Sequence, residues 1–78
     1  MRILLTGANG FVGIQAIEQL RGQHDVLALD ALRYCPWRVE AGDGVELLEL
    51  DLRDRAATHA AIERFRPEAI IQDRKSVV

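Results

Sequence analysis

Three glycines, each three residues apart, follow a short apolar segment at the start of the chain. Residues 2–6 read RILLT, and Gly7, Gly10 and Gly13 come directly afterwards. The apolar run is typical of a strand buried on both faces, and the glycines indicate a tight turn. A helical pattern then begins, so the turn joins a strand to a helix. This order is the context that a phosphate-binding turn requires.

The rest of the chain alternates between helix-like and strand-like segments. A helix is predicted over 11–21, with Gly22 as its stop signal. Strands are predicted over 25–30 and 45–50, and a fourth strand is predicted to start at 68–71. The apolar stripe of the helix is formed by Val12, Ala16, Ile17 and Leu20.

A further helix is predicted between the last two strands. Asp54 is placed to cap its start, and the helix must end before Pro67. Its apolar positions are Ala57, Ala61, Ile62 and Phe65. Between residues 31 and 44 the pattern is weak, and we expect a helical turn over 31–34 followed by a loop. The alternation of strands and helices predicts an α/β fold with a parallel sheet and right-handed crossovers.

Charge and composition exclude several classes of partner. Ten basic and twelve acidic residues give a net charge of −2, and the arginines are scattered, so we expect no nucleic-acid partner. No apolar stretch approaches the ~20 residues of a membrane span, and we expect neither a membrane partner nor a signal peptide. Cys35 is the single cysteine, and no Cys or His spacing resembles a metal site. These features favour a reducing, cytoplasmic setting.

The glycine turn has a specific chemical interpretation. Gly7 permits a tight turn, Gly10 lets the backbone approach a pyrophosphate, and Gly13 lets the helix pack closely. The helix start then offers free N–H groups to phosphates. Asp30 ends the second strand, seventeen residues after Gly13, where a carboxylate can accept hydrogen bonds from a ribose. The alternatives are a loop that merely needs small residues and a solvated carboxylate at a strand end.

Three segments carry a resemblance to a known family. Residues 6–13 read TGANGFVG, which resembles the TGxxGxxG signature of the short-chain dehydrogenase/reductase superfamily. The Phe-Val-Gly ending resembles its extended branch, the NAD-dependent epimerase/dehydratase family. Residues 51–54 resemble that family's adenine-site segment, and residues 65–71 resemble its approach to strand four. The similarity runs in register from residue 1 to about residue 71.

The resemblance implies a fold and a cofactor. The fold would be the N-terminal half of a Rossmann-type, doubly wound parallel sheet with about four strands and two to three helices. The cofactor would be NAD, because Asp30 would repel the 2′-phosphate of NADP. Arg33 is either a partner for such a phosphate or a solvated loop residue. The cofactor-binding residues that follow are Gly7, Ala8, Asn9, Gly10, Phe11, Val12, Gly13, Asp30, Asp51 and Leu52.

No catalytic residue is predicted in this chain. Family chemistry uses a Tyr-x-x-x-Lys pair, but Tyr34 is followed by Arg38 at that spacing, and the only lysine is Lys75. The resemblance therefore implies that a missing C-terminal part binds a nucleotide sugar or related carbonyl substrate, and that the parent protein is a homodimer. The alternatives are a dinucleotide-sensing protein without catalysis and an inactive fragment.

The last six residues differ in composition from the rest. Residues 73–78 contain the only lysine and the only serine of the chain. Their sequence, DRKSVV, is also what a widely used sequencing adapter encodes in one frame. We therefore expect a partial dinucleotide-binding domain over 1–72 and a non-native tail over 73–78. A natural charged tail is the alternative.

Two smaller groups of residues have no predicted chemistry. His24 and His59 have no partner at catalytic spacing and are expected to face solvent. Cys35, Pro36 and Trp37 form an apolar loop cluster, for which ordinary burial is favoured over packing on the adenine side.

Overall fold

A computed structural model describes residues 1–33 and 35–72. The strands and helices follow one another in the predicted order, but in the described part of the chain no helix lies between the second and third strands, so the predicted alternation is not complete. Tyr34, and with it the end of the predicted helical turn, lies outside the described residues, as does the predicted tail at 73–78. The elements are β1 (Arg2–Thr6), α1 (Phe11–Leu20), β2 (Asp25–Asp30), β3 (Val45–Glu49), α2 (Arg55–Phe65) and β4 (Ala69–Gln72).

The four strands form one parallel sheet in the order β3-β2-β1-β4. β1 lies between β2 and β4, with Thr6 opposite Leu29 on one side and opposite Gln72 on the other. The chain moves from β1 outward through β2 to β3 and then returns to the other side of β1. This reversal of direction is the topological switch point of an α/β sheet, where ligands bind at the carboxyl ends of the strands.

The two faces of the sheet are covered by different helices. Successive strand residues point to opposite faces. Leu5 and Val26 therefore pack with Ile17 of α1, whereas Leu4 and Leu27 pack on the other face in the cluster that includes Ala61 of α2. This burial on both faces explains why β1 and β2 read as continuous apolar runs.

The predicted start and end signals act largely as expected. The Asp54 side chain accepts a hydrogen bond from the Ala57 N–H at 3.1 Å, which caps α2. α2 ends at Phe65, before Pro67. α1 ends at Leu20, one residue earlier than predicted, with Gly22 shortly after it.

Val12 does not lie on the buried stripe of α1, contrary to the prediction. It is 59% exposed, whereas Ile17 is fully buried and Ile14 packs beside the core. Val12 belongs to the first turn of α1, and it lies beyond the part of the helix that packs on the sheet.

The helical turn predicted over 31–34 is not formed by its described residues. Leu32 and Arg33 have φ values of 60° and 38°, which are left-handed rather than right-handed helical. The Asp30 carboxylate accepts the Leu32 N–H at 2.8 Å, as a helix N-cap would, but the left-handed φ values that follow exclude a right-handed helical turn.

The two histidines also differ from each other. His59 is exposed, as predicted. His24 is half-buried, and within the described part of the chain its Nδ1 is buried and has no hydrogen-bond partner. The prediction that His24 faces solvent therefore holds only in part, because one of its ring nitrogens is buried.

Among the described residues, no helix has the length and apolar character needed to cross a membrane.

Candidate functional site

A cleft of about 470 Å³ lies at the carboxyl edge of the sheet. The residues that line it come from the ends of all four strands or from the loops that follow them. This is the position at which the switch point of a parallel sheet binds ligands. The lining residues are Thr6, Gly7, Leu29, Asp30, Ala31, Leu50, Asp51, Leu52 and Gln72.

A second cavity of about 510 Å³ adjoins this cleft. Both cavities are lined by Ala31, Leu50 and Asp51. The second cavity extends along the sheet edge to Arg33 and Asp54. Together the two cavities form an elongated groove, as an extended ligand would need.

The glycine turn is tight and closely packed. Gly7 has a φ of 67°, a conformation that favours glycine, and its carbonyl accepts the Gly10 N–H at 3.1 Å. A Cβ atom on Gly13 would lie 2.5 Å from the Gly7 oxygen and 2.7 Å from Ala8 Cα. Gly13 therefore allows the close helix approach that was predicted for it, and the helix packs against the backbone of the turn.

The start of α1 offers backbone donors beside the turn. The N–H groups of Phe11, Val12 and Gly13 fall in the first turn, where a helix has no internal acceptors for them. The first N–H to bond back is that of Ile14, to the Gly10 carbonyl at 2.9 Å. Gly10 at the N-cap has no side chain that can satisfy the free donors. They remain available to an anion, which the helix dipole also favours.

Asp30 connects this turn to the end of β2. Its Oδ2 accepts the Asn9 N–H at 2.9 Å, and its Oδ1 accepts the Leu32 N–H at 2.8 Å. Asp30 also lines the cleft. Each carboxylate oxygen can accept two hydrogen bonds, so the side chain can still accept bonds from hydroxyl groups of a ligand.

Asp51, which also lines the cleft, is held by Arg53. The Arg53 Nη2 donates to Asp51 Oδ2 at 2.8 Å, and the Arg53 backbone N–H donates to Oδ1 at 2.9 Å. These two hydrogen bonds from Arg53 lower the pKa of Asp51 to about 2, and the side-chain bond has the larger effect. Asp51 is therefore ionised at neutral pH and acts only as an acceptor.

The predicted site residues fall into three groups. Gly7, Asp30, Asp51 and Leu52 line the cleft itself. Arg33 is exposed and lines the adjoining cavity. The rest of the predicted set forms the turn and the start of α1, namely Ala8, Asn9, Gly10, Phe11, Val12 and Gly13.

Five lining residues were not predicted from the sequence. They are Thr6, Leu29, Ala31, Leu50 and Gln72. Each lies at or next to the carboxyl end of a strand. The rule that ligands bind at these ends would have indicated them, once the strand order was known.

Comparison with known proteins identifies the family. A family model described as the NAD-dependent epimerase/dehydratase family matches residues 3–73. The chain belongs to this family. The resemblance found in the sequence and the family model therefore indicate the same family.

One relative by sequence and two solved structures are similar to the chain. Uronate dehydrogenase from Pseudomonas putida is 40% identical over 62 residues, which cover 80% of this chain and 22% of that protein. The Bordetella bronchiseptica enzyme WbmG, in complex with NAD, has a TM-score of 0.86 and 26% identity, covering 99% of this chain and 26% of that one. UDP-glucose 4-epimerase from Thermus thermophilus, in complex with NAD, has a TM-score of 0.79 and 34% identity, covering 99% and 25%. The chain thus spans about a quarter of the length of these relatives.

Proposed function

We propose that this chain binds NAD as the N-terminal part of an enzyme of the epimerase/dehydratase family. The observation that carries the proposal is the cleft at the switch point, which is lined by Gly7 of the turn together with Asp30 and Asp51. The two similar structures described above, both NAD complexes, support the choice of cofactor.

The pyrophosphate lies at the start of α1 in this proposal. Free N–H groups at Phe11 and Val12 donate to its oxygens, because neither group has an acceptor within the helix. The exposed side chains of these two residues leave the backbone approachable.

The adenosine half lies along the groove between β2 and β3. Asp30 accepts hydrogen bonds from the ribose hydroxyls, and Asp51 with the backbone at Leu52 meets the edge of the adenine. The low pKa of Asp51 keeps its carboxylate ready to accept from an amino group.

The charges along the groove favour NAD over NADP. Asp30 and Asp51 both line the cleft, and a 2′-phosphate would be repelled by them. Arg33 is the one cation among the described residues that line either cavity. We expect Arg33 to weaken the repulsion of the 2′-phosphate without reversing the preference for NAD over NADP.

The parent enzyme acts on a nucleotide sugar or a related carbonyl compound in this proposal. The relatives include a uronate dehydrogenase and a UDP-glucose 4-epimerase, whose names both point to sugar substrates. The substrate binds outside the residues described here, and the parent is a cytoplasmic homodimer.

Titration with NAD tests the proposal directly. Trp37 is the only tryptophan and packs half-buried against the core, so its fluorescence checks folding, and isothermal titration calorimetry measures the response to the cofactor. We expect a saturable response to NAD and a weaker one to NADP. Gly10→Val should abolish the response while keeping the fold, because Gly10 has an extended backbone that valine adopts readily. Gln15→Ala, an exposed change on α1, is the matched control.

A folded chain that gives no saturable NAD response would overturn the proposal. If Gly10→Val and the wild-type chain respond equally to NAD, the glycine turn is not part of the NAD site.

A further inference from the structure

The side chain of Asn9 is turned away from the cleft and into the protein. It is 7% exposed, and both ends of its carboxamide are hydrogen-bonded. Its Nδ2 donates to the Pro36 carbonyl at 2.9 Å, and its Oδ1 accepts the Arg38 N–H at 2.6 Å. Asn9 is not among the described residues that line the cleft. Its side chain therefore joins the glycine turn to residues 35–39.

Residues 35–39, here called the strap, are anchored on the α1 face of the sheet. Val39 is buried in the core cluster, and Trp37 packs against the same cluster. The Pro36 and Arg38 side chains are exposed, so these two residues contribute mainly their backbone to the contact with Asn9. The strap is thus held in place by the core, and the glycine turn is bonded to it through the Asn9 side chain.

The backbone of Asn9 also bonds to Asp30. Its N–H donates to Asp30 Oδ2 at 2.9 Å. The strap therefore fixes the Asn9 side chain, and Asn9 in turn fixes the turn and one oxygen of Asp30. Asn9 thereby fixes the glycine turn and Asp30 relative to each other, although Asn9 itself does not line the cleft.

The carboxamide of Asn9 can pair with both backbone groups of the strap, because it carries a donor and an acceptor. The Pro36 carbonyl needs a donor and the Arg38 N–H needs an acceptor. An aspartate would place a second acceptor against the carbonyl, and an alanine would leave both backbone groups without their partner in a partly buried position.

We propose that Asn9 is a positioning residue for dinucleotide binding, which acts through Asp30 and the glycine turn. This inference rests on the proposed function. In this inference the Asn9 side chain holds the glycine turn and Asp30 in position and does not contact the cofactor.

The test compares Asn9→Ala and Asn9→Asp with Ile62→Ala. Ile62 belongs to α2 and packs on the opposite face of the sheet, and its truncation destabilises the fold without touching the turn or the strap. All measurements use the 78-residue chain in an osmolyte that favours burial, with folding checked by circular dichroism. NAD affinity is measured by titration, and exchange of the Arg38 amide is measured by NMR without NAD.

We expect Asn9→Ala to weaken NAD binding about tenfold, and Ile62→Ala to change it less than about twofold. Asn9→Ala should also speed exchange of the Arg38 amide, because its acceptor is lost. The Ala8 amide, which bonds to the Leu29 carbonyl, should stay protected. Asn9→Asp keeps the acceptor for Arg38, so its amide should remain protected although NAD affinity falls.

An affinity loss in Asn9→Ala no larger than that in Ile62→Ala would overturn the inference. Unchanged exchange at Arg38 in Asn9→Ala would overturn it independently of any ligand. If the folded wild-type chain does not bind NAD, the proposed function itself fails, and the exchange result still decides whether Asn9 holds the strap.

Discussion

The Asn9 N–H donates to the Asp30 carboxylate at 2.9 Å, across 21 positions of sequence. This bond joins the turn after β1 to the last residue of β2 at the mouth of the cleft. Asp30 therefore has a structural task in addition to the ribose contact that we propose for it. Changes at this residue should affect both stability and binding.

Replacing Asp30 with alanine should lower both the free energy of unfolding and the affinity for NAD. Two backbone donors, at Asn9 and Leu32, lose their acceptor. Because Asn9 is buried, we expect a loss of about 1 to 3 kcal/mol, the cost of leaving a buried group unpaired. Chemical denaturation measures the stability, and titration with NAD measures the binding.

Asp30→Asn separates the two effects. It keeps one of the two acceptors, sets an NH2 group against the other backbone N–H and removes the charge, so we expect a smaller loss of stability than in Asp30→Ala while the preference for NAD over NADP narrows. An unchanged ratio of NAD to NADP affinity would show that the charge of Asp30 does not select the cofactor.

Gly13→Ala should destabilise the fold. The new Cβ would lie 2.5 Å from the Gly7 oxygen and 2.7 Å from two Ala8 atoms, all of them backbone. Backbone cannot move aside as a flexible side chain can, so we expect a loss of about 1 to 3 kcal/mol. Urea denaturation monitored by Trp37 fluorescence checks this value. The exposed Gln19→Ala on the same helix should stay within about 0.5 kcal/mol of the wild type.

Acid should weaken the Asp51 interaction within a defined pH range. The pKa of Asp51 falls from its usual 3.8 to about 2 because Arg53 donates to the ionised carboxylate. A lowered folded-state pKa means that the contribution to stability is present above about pH 4 and is lost as the pH falls toward 2.

NMR titration of the Asp51 carboxyl group measures this pKa. In Arg53→Ala the side-chain bond is gone while the backbone N–H remains, so the pKa should rise toward 3.8 without fully reaching it. Arg55→Ala, an exposed change nearby, is the control. An Asp51 pKa near 3.8 in the wild-type chain would contradict the ion pair.

The exposed edge at β4 should make the isolated chain marginally stable or prone to aggregation. Ile70 is 53% exposed and Ile71 is 39% exposed, on an edge strand of a parallel sheet that is normally covered. We expect Ile70→Lys to raise the fraction of monomer in light scattering, and Ala60→Lys on the exposed face of α2 to have little effect. A sharp cooperative thermal transition of the wild-type monomer would argue against this expectation.

The sequence alone determined the order of the elements and the central part of the candidate site. These features depend on local signals: apolar periodicity, the glycines at 7, 10 and 13, and a capping residue at Asp54. The position of Asp30 at a strand end was also predicted, because a strand boundary is a local property. The motifs in residues 6–13 and 51–54 then indicated the family, which the comparison confirmed.

Tertiary structure alone decided how these parts meet. Thr6 and Gln72 line one cleft only because β4 returns beside β1, and this strand order is set by packing across the whole sheet. The Asn9 side chain bonds to residues 27 and 29 positions away, a pairing that no local pattern encodes. Likewise, residues 31–33 do not form the predicted helical turn, because Leu32 and Arg33 adopt left-handed φ values. Local propensities fix the elements, whereas long-range hydrogen bonds and burial fix which side chains face the ligand and which hold the scaffold.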